Sequence, residues 1–404
     1  MIILALIVLA GFGLFYLILQ ADVPGLVKFL LVFLEMTLIS QYFIKRYDLS
    51  SELGLVLLKS KKGIELIDRL ARHEKAFNFM ADLGCAISYG LLSLVLMRRR
   101  VSVPVLALGI ILLGLISMVV APFALSFLFQ VIKVGSVDSS TVNTLTSKAE
   151  LGAMAGIAIL VCGGFFLFVL AGVMLYGAIV VNAVVGTLFF GADTLAKTSA
   201  GGTFLLPGIN LPLFEGILAL VVVLVVHEGA HAVLTRIAKV PLKSSGLVLF
   251  GVIPIGAFVE PDEKRLARAD AAKQTRVLVG GPTANLLTSL LFCAIFLAFV
   301  FTVNTLVLGS TPLAPVLKFV YTTLGLAFSL NFVVGVVNLM PIPLFDGYRV
   351  IDVNVKNKMI VKAISYTALL FFILNFLPLR NRIQKYHMLQ KIYLLIFIVL
   401  KYKF

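Results

Sequence analysis

Long apolar runs alternate with short polar segments along this chain. A helix needs about 20 apolar residues to cross a bilayer. Runs near that length occupy residues 2–20, 25–44, 77–97, 101–132, 151–172, 173–190, 212–236, 280–303, 316–340 and 360–378, with a shorter run at 392–400. Polar segments separate them at 45–76, 134–150, 192–211 and 237–278. The pattern predicts an all-α polytopic membrane protein, a multi-span helical bundle. One stretch has a different texture. Residues 242–261, LKSSGLVLFGVIPIGAFVEP, are rich in β-branched and aromatic side chains and predict short membrane-associated β-strands.

Composition points the same way. The 404 residues are 61% hydrophobic and 13% charged, with a mean hydropathy of +1.10; a soluble domain is roughly 45–50% apolar and about 25% charged. No interior of this size could hold that apolar mass, so lipid must take it. The net charge of +15 would suggest nucleic acid in a soluble protein. Here the cations sit in loops between spans, and no aromatic-plus-basic pattern appears, so no nucleic-acid partner is expected. Cys85, Cys162 and Cys293 lie in separate apolar runs without a CxxC pair, which argues against a disulfide framework or a thiolate metal site. The first run lacks a basic leader and a small-residue cleavage site, so it reads as a retained span.

Charge placement suggests an orientation. Segment 237–278 carries Lys239, Lys243, Lys264, Arg265, Arg268, Lys273 and Arg276, which places it in the cytoplasm. The loop after span 280–303 is uncharged, and span 316–340 returns to Arg349, Lys356, Lys358 and Lys362. The end of span 212–236 therefore lies toward the cytoplasmic face. Arg98 to Arg100 and the basic segment 380–391 do not fit this scheme, which leaves the outer topology open.

Within that span, residues 221–234 read VVVLVVHEGAHAVL. Ionisable groups are costly in a membrane and are usually functional there. Residues i and i+4 share a helix face, so His227 and His231 can aim two imidazoles at one zinc ion, with Glu228 beside them. A catalytic zinc site takes three protein ligands. The stretch NLMPIPLFDG, residues 338–347, ends span 316–340 on the same side. Asp346 is its one acid, Pro341 and Pro343 break the helix, and Gly347 allows a turn. His73 and His387 sit in basic, polar surroundings and read as surface. Glu35 and Asp82, inside apolar runs, read as partners of basic residues or as lining of a polar cavity. Gly229, Ala230, Gly280, Gly281 and Ala284 permit close helix packing or a polar cleft that admits water from the cytoplasmic side, and Asn285 reads as an interhelical hydrogen-bonder or part of a cleft wall.

HEGAH in an apolar helix followed by NLMPIPLFDG resembles the site-2 protease family of intramembrane zinc metalloproteases, whose pattern is H-E-x-x-H with N-x-x-P-x-x-x-x-D-G. GAFVEPDE at 256–263 and GGPTAN at 280–285 are similar to further stretches of that family. The resemblance covers roughly residues 205–350. It implies a three-helix catalytic core, with His227, His231 and Asp346 as zinc ligands, Glu228 as general base and Asn338 polarising the substrate carbonyl. The connections are too short for an inserted PDZ domain, so the resemblance is to PDZ-less members of archaeal type. It divides the chain into an amino-terminal membrane extension at 1–200, the core at 205–350, and a carboxy-terminal span with a basic tail at 351–404.

The function so implied is hydrolysis of peptide bonds in transmembrane substrates near the cytoplasmic face, by zinc-held water with Glu228 as base, as in regulated intramembrane proteolysis. Its cofactor is Zn²⁺. Its partners are membrane-anchored protein substrates and the lipid bilayer, in a multi-pass protein of the cell membrane. An edge within 242–261 is expected to hold unwound substrate by strand addition, and Asn285 and Gly256 are candidate substrate-binding residues. The alternatives are a different membrane zinc hydrolase, which would draw its third ligand from a downstream Glu, and a membrane zinc transporter or non-proteolytic zinc-binding scaffold, which would spread ligands along a path.

Overall fold

The apolar runs become helices in the computed structural model, which describes residues 2–22, 25–52, 55–59, 61–97, 101–132, 149–190, 198, 201–203, 205, 207–208, 210–306 and 311–376. Helices α1 (Ile2–Gln20) and α2 (Gly25–Tyr47) come first, then strands β1 (Ser50–Glu52) and β2 (Leu55–Lys59) and helix α3 (Lys61–Leu70). Helices α4 (Glu74–Leu96), α5 (Val103–Ile132) and α6 (Ala149–Phe190) complete the amino-terminal part. There follow α7 (Leu213–Ile237), β3 (Leu242–Phe250), β4 (Ile253–Pro261), α8 (Glu263–Arg268), α9 (Ala271–Thr305), α10 (Ala314–Val337), α11 (Asp346–Asn354) and α12 (Lys358–Leu374). Segments 98–100, 134–148 and 380–404 lie outside the described residues.

Among the described residues, six helices are long and apolar enough to cross a membrane: α4, α5, α7, α9, α10 and the Met154–Phe190 part of α6. Large apolar side chains face outward along them, such as Val103 and Met118 at 77% and Phe301 at 72% exposure. Water would penalise such a surface, and lipid does not. The protein is a multi-pass membrane protein.

Two boundaries differ from the sequence pattern. The runs 151–172 and 173–190 form one helix, α6, and its break lies at Gly164, with φ 59° and ψ −158°. The cause is a close crossing. A Cβ on Gly164 would stand 2.5 Å from the Ser88 backbone, and one on Gly90 (φ 54°) would stand 2.3 Å from the Val161 carbonyl oxygen. Helix α9 also begins well before its apolar run, at Ala271, where Asp270 caps it by accepting from the Ala272 N–H. Lys273 and Arg276 had hidden its first turns from a hydropathy reading.

The expected strands within 242–261 are β3 and β4, but the sheet has four antiparallel strands in the order β1-β2-β3-β4. The first two come from segment 45–76, whose charge gave no strand signal. Val56 pairs with Leu249 and Lys59 with Gly246. Gly246 is obligatory there, since a Cβ would meet the Leu58 carbonyl oxygen at 1.9 Å. Helix α2 holds the β3–β4 turn: Ser40 Oγ accepts from the Gly251 N–H at 2.7 Å, and Val252 packs with Phe15, Met36, Phe43 and Val56.

By internal packing the chain forms two compact units. Residues 1–170 and 205–365 make one, which contains the sheet and all the helices discussed below. Residues 171–204 and 366–404 make the other. There Val180 and Ala183 pack with Tyr176, Val184 and Leu374, and the Asn375 carbonyl accepts from the Gly201 and Gly202 N–H groups.

In the larger unit α7, α9 and α10 pack against one another at glycines. A Cβ on Gly280 would meet Leu234 Cδ1 at 2.4 Å, and one on Gly335 would meet the Pro282 carbonyl oxygen at 3.1 Å. Helix α4 joins α9 through a two-pronged ion pair, in which Arg276 donates from Nε (2.6 Å) and Nη2 (2.9 Å) to Asp82. Arg236 on α7 pairs with Asp68 on α3 at 2.6 Å. Asp82 thus has the basic partner its position suggested. Replacing Asp82 by Ala strands the Arg276 guanidinium in a mostly buried seam and is expected to destabilise the protein by about 3 kcal/mol. An Asp82→Leu/Arg276→Met double substitution should recover most of the loss. Thermal unfolding in detergent checks both, and a double variant as unstable as the single one would contradict this account of the seam.

Candidate metal centre

Helix α7 runs unbroken through VVHEGAH, so His227 and His231 stand one turn apart on one side. Their ring centroids are 4.8 Å apart and their Nε2 atoms 3.2 Å apart. Asp346 Oδ2 lies 3.2 Å from His227 Nε2 and 3.3 Å from His231 Nε2.

A folded-back loop delivers Asp346. Helix α10 ends at Asn338, and Leu339, Met340 and Ile342 then bury completely. The Gly347 N–H closes the loop by donating to the Asn338 carbonyl at 2.8 Å. Only glycine fits at 347, where a Cβ would stand 1.9 Å from the Leu339 carbonyl oxygen. The D-G pair is thus a candidate ligand followed by the one residue that lets it arrive.

The outer edge of each imidazole is held too. His231 Nδ1 lies 2.7 Å from the Val277 carbonyl oxygen. A carbonyl only accepts, so Nδ1 carries the proton, and on the neutral ring Nε2 keeps a bare lone pair. His227 Nδ1 faces the Asn285 amide at 3.0 Å, while Asn285 Oδ1, fully buried, has no hydrogen-bond partner. Turning that amide over lets Oδ1 accept the His227 Nδ1–H, which leaves His227 Nε2 its lone pair. Each Nε2 then presents a lone pair to the other and to a carboxylate oxygen.

Electron pairs so crowded need a cation among them. Zinc binds His nitrogen and carboxylate oxygen at about 2.0–2.2 Å, and a tetrahedron with such arms has edges of about 3.3 Å. The three donor separations of 3.2, 3.2 and 3.3 Å fit it. The donor set, two imidazoles and one carboxylate, suits zinc as well.

Gly281 on α9 supplies the floor. A Cβ there would reach 2.4 Å from His231 Nε2 and 2.7 Å from His227 Nε2. The close approach expected at Gly281 is to the imidazoles of the candidate metal site. A cavity of about 280 Å³ opens over the cluster, lined also by Glu228, by Asn338 and by Val259 and Pro261 of β4. Leu344 lines it too, with φ 92° and full exposure. Neither Leu344 nor the Val277 carbonyl carried any sequence signal: one is an ordinary apolar residue, the other a backbone group.

Asn285 is fully buried against His227 rather than open to the cavity, and Gly256 lies on β4 opposite Val248. His73 is exposed at the start of α4, and His387 lies outside the described residues. Glu35 is buried, and its carboxylate oxygens have no hydrogen-bond partner among the described residues. Removing the Asn285 acceptor should weaken metal binding. Asn285→Leu is expected to lower zinc affinity about 10- to 100-fold, Asn285→Asp to retain it, and Gly281→Ala to eject the metal. Chelator competition on purified protein measures all three, and undiminished affinity in Asn285→Leu would refute the role given to this amide.

A model of peptidase family M50 matches residues 215–379. An uncharacterised protein of Methanocaldococcus jannaschii is 35% identical over 96 residues, which span 24% of this chain and 26% of that protein. No solved structure matches the chain. The matched segment contains both histidines, Glu228, Asn285, Asn338 and Asp346, and the sequence resemblance and the geometry converge on it: residues 215–379 match the model of peptidase family M50, the site-2 protease family of zinc metalloproteases.

Proposed function

We propose that this protein is an intramembrane zinc endopeptidase that cuts membrane-anchored proteins within or beside their spans. The observation that carries this reading is the meeting of His227, His231 and Asp346 near the end of an apolar helix, with Glu228 and Asn338 lining the same cavity. The three ligands would hold zinc, which supplies Lewis acidity, polarising a carbonyl and lowering the pKa of a coordinated water toward about 7.

The chain's own residues do the rest. Glu228 accepts a proton on its carboxylate as water adds to the scissile carbonyl, and returns it to the amide nitrogen as the C–N bond breaks. Asn338 donates its amide N–H to the developing oxyanion. A helical substrate must unwind first, because its peptide groups bond to one another. Strand β4 is one of the two outer strands of the sheet, and its Val259 and Pro261 line the cavity. An extended substrate segment pairs along that outer edge and comes to lie beside Glu228. Residues 246–250, by contrast, belong to β3, which pairs with β2 and β4 on its two sides.

The basic residues around the metal end of the bundle support a cytoplasmic position for the site, with the cut fragment released there. A transporter would spread ligands along a path; among the described residues His227, His231 and Asp346 form the one group of this kind.

Glu228→Gln should lower cleavage of a reconstituted single-span substrate by at least about 10³-fold, since the proton carrier is lost, while zinc content stays at the wild-type level. Near-normal cleavage would defeat the assignment. Val259→Pro, which removes an edge N–H, is expected to slow cleavage about tenfold or more with metal retained, whereas Val259→Ala changes little. Equal rates in the two variants would dismiss pairing on β4.

A further inference from the structure

A second cavity, of about 220 Å³, lies between α4 of the extension and the core helices α7 and α9. It sits at the ends of three spanning helices, beside the first turns of α4 and α9 and the last turn of α7. Such a position is at headgroup depth in a bilayer.

Its charged lining is Lys239, Lys273 and Arg276 against Glu74. Arg276 is neutralised by Asp82. Lys239 and Lys273 are exposed, and neither has an ion-pair partner among the described residues. An adjoining open cavity shares Glu74 and Asn78 and adds Arg72 and Lys75. Positive charge therefore outweighs negative in a concave seam.

The backbone of Lys239 gives an independent sign. Its φ is +63°, the left-handed region, at the end of α7. Glycine or asparagine ordinarily stands at that position of a helix end. Holding a lysine there is unfavourable, and strain of this kind marks residues kept for what the side chain does.

We propose that this cavity binds the phosphodiester headgroup of an anionic phospholipid, with Lys239 and Lys273 holding the phosphate. Basic pockets between spanning helices at the membrane surface suit such headgroups. Free phosphate offers the same chemistry, and the bilayer is the favoured source because the cavity stands where headgroups lie. The site exists only because α4 packs against the M50 segment, so it gives the amino-terminal extension a role. It also adjoins the metal centre: Val277, next to Arg276, is the residue whose carbonyl fixes His231.

The test reads unfolding, so its outcome does not depend on whether the protein cleaves peptides. Purified full-length protein in zwitterionic detergent is titrated with short-chain phosphatidylglycerol, with phosphatidylcholine of the same chain length, and with inorganic phosphate. Phosphatidylglycerol should raise the wild-type Tm by several degrees and the other two by much less. Lys239→Gly should start at an equal or higher Tm, because it relieves the left-handed backbone, yet respond at least tenfold more weakly in apparent affinity. Lys239→Gly/Lys273→Gln should not respond. An undiminished response in the double variant, an equal effect of phosphatidylcholine, or a full effect of inorganic phosphate would each overturn the proposal.

Discussion

Two imidazole lone pairs and a carboxylate oxygen meet within 3.3 Å in a largely apolar bundle. Left alone, that convergence is repulsive, and a divalent cation makes it favourable. The neighbouring geometry follows from it. Gly281 is bare because any side chain would enter the space between the nitrogens. Gly347 is bare because the loop must fold tightly to bring Asp346 across. The Val277 carbonyl and Asn285 amide take the outer ring edges, which fixes the direction of the inner ones.

The same constraint explains how the core helices pack. The donor atoms on α7 and at the start of α11 come within 3.3 Å of one another, and α9 and α10 approach closely around them. Gly280 against Leu234 and Gly335 against Pro282 permit this, as small residues do where membrane helices meet. The amino-terminal helices then brace the core from outside. They do so with the Asp82–Arg276 pair, with β2 against β3, and with Ser40 on the β3–β4 turn, leaving β4 as the outer strand next to the metal centre.

Much of this was legible in the residues. The i, i+4 spacing of His227 and His231 follows from helix geometry alone, and an apolar helix around them marked the pair as functional. Asp346 stood out as the one acid in a proline-broken loop. The strands of 242–261 showed in their β-branched content. Strands β1 and β2 did not, because their pairing is non-local and their segment is dominated by charge. Gly164 as the break in α6 was equally hidden, since its conformation is set by backbone contact with Ser88.

The sequence by itself determined the membrane class, the helix that carries the histidines and the chemical identity of the candidate ligand set, because hydropathy and helical periodicity are local properties. Tertiary structure alone decided which nitrogen of each imidazole faces inward, that Asn285 serves His227, that Gly281 is the floor of the site, and that Lys239 and Lys273 share a cavity with α4. Those facts depend on contacts between residues far apart in the chain, and no local pattern encodes a distance across a bundle.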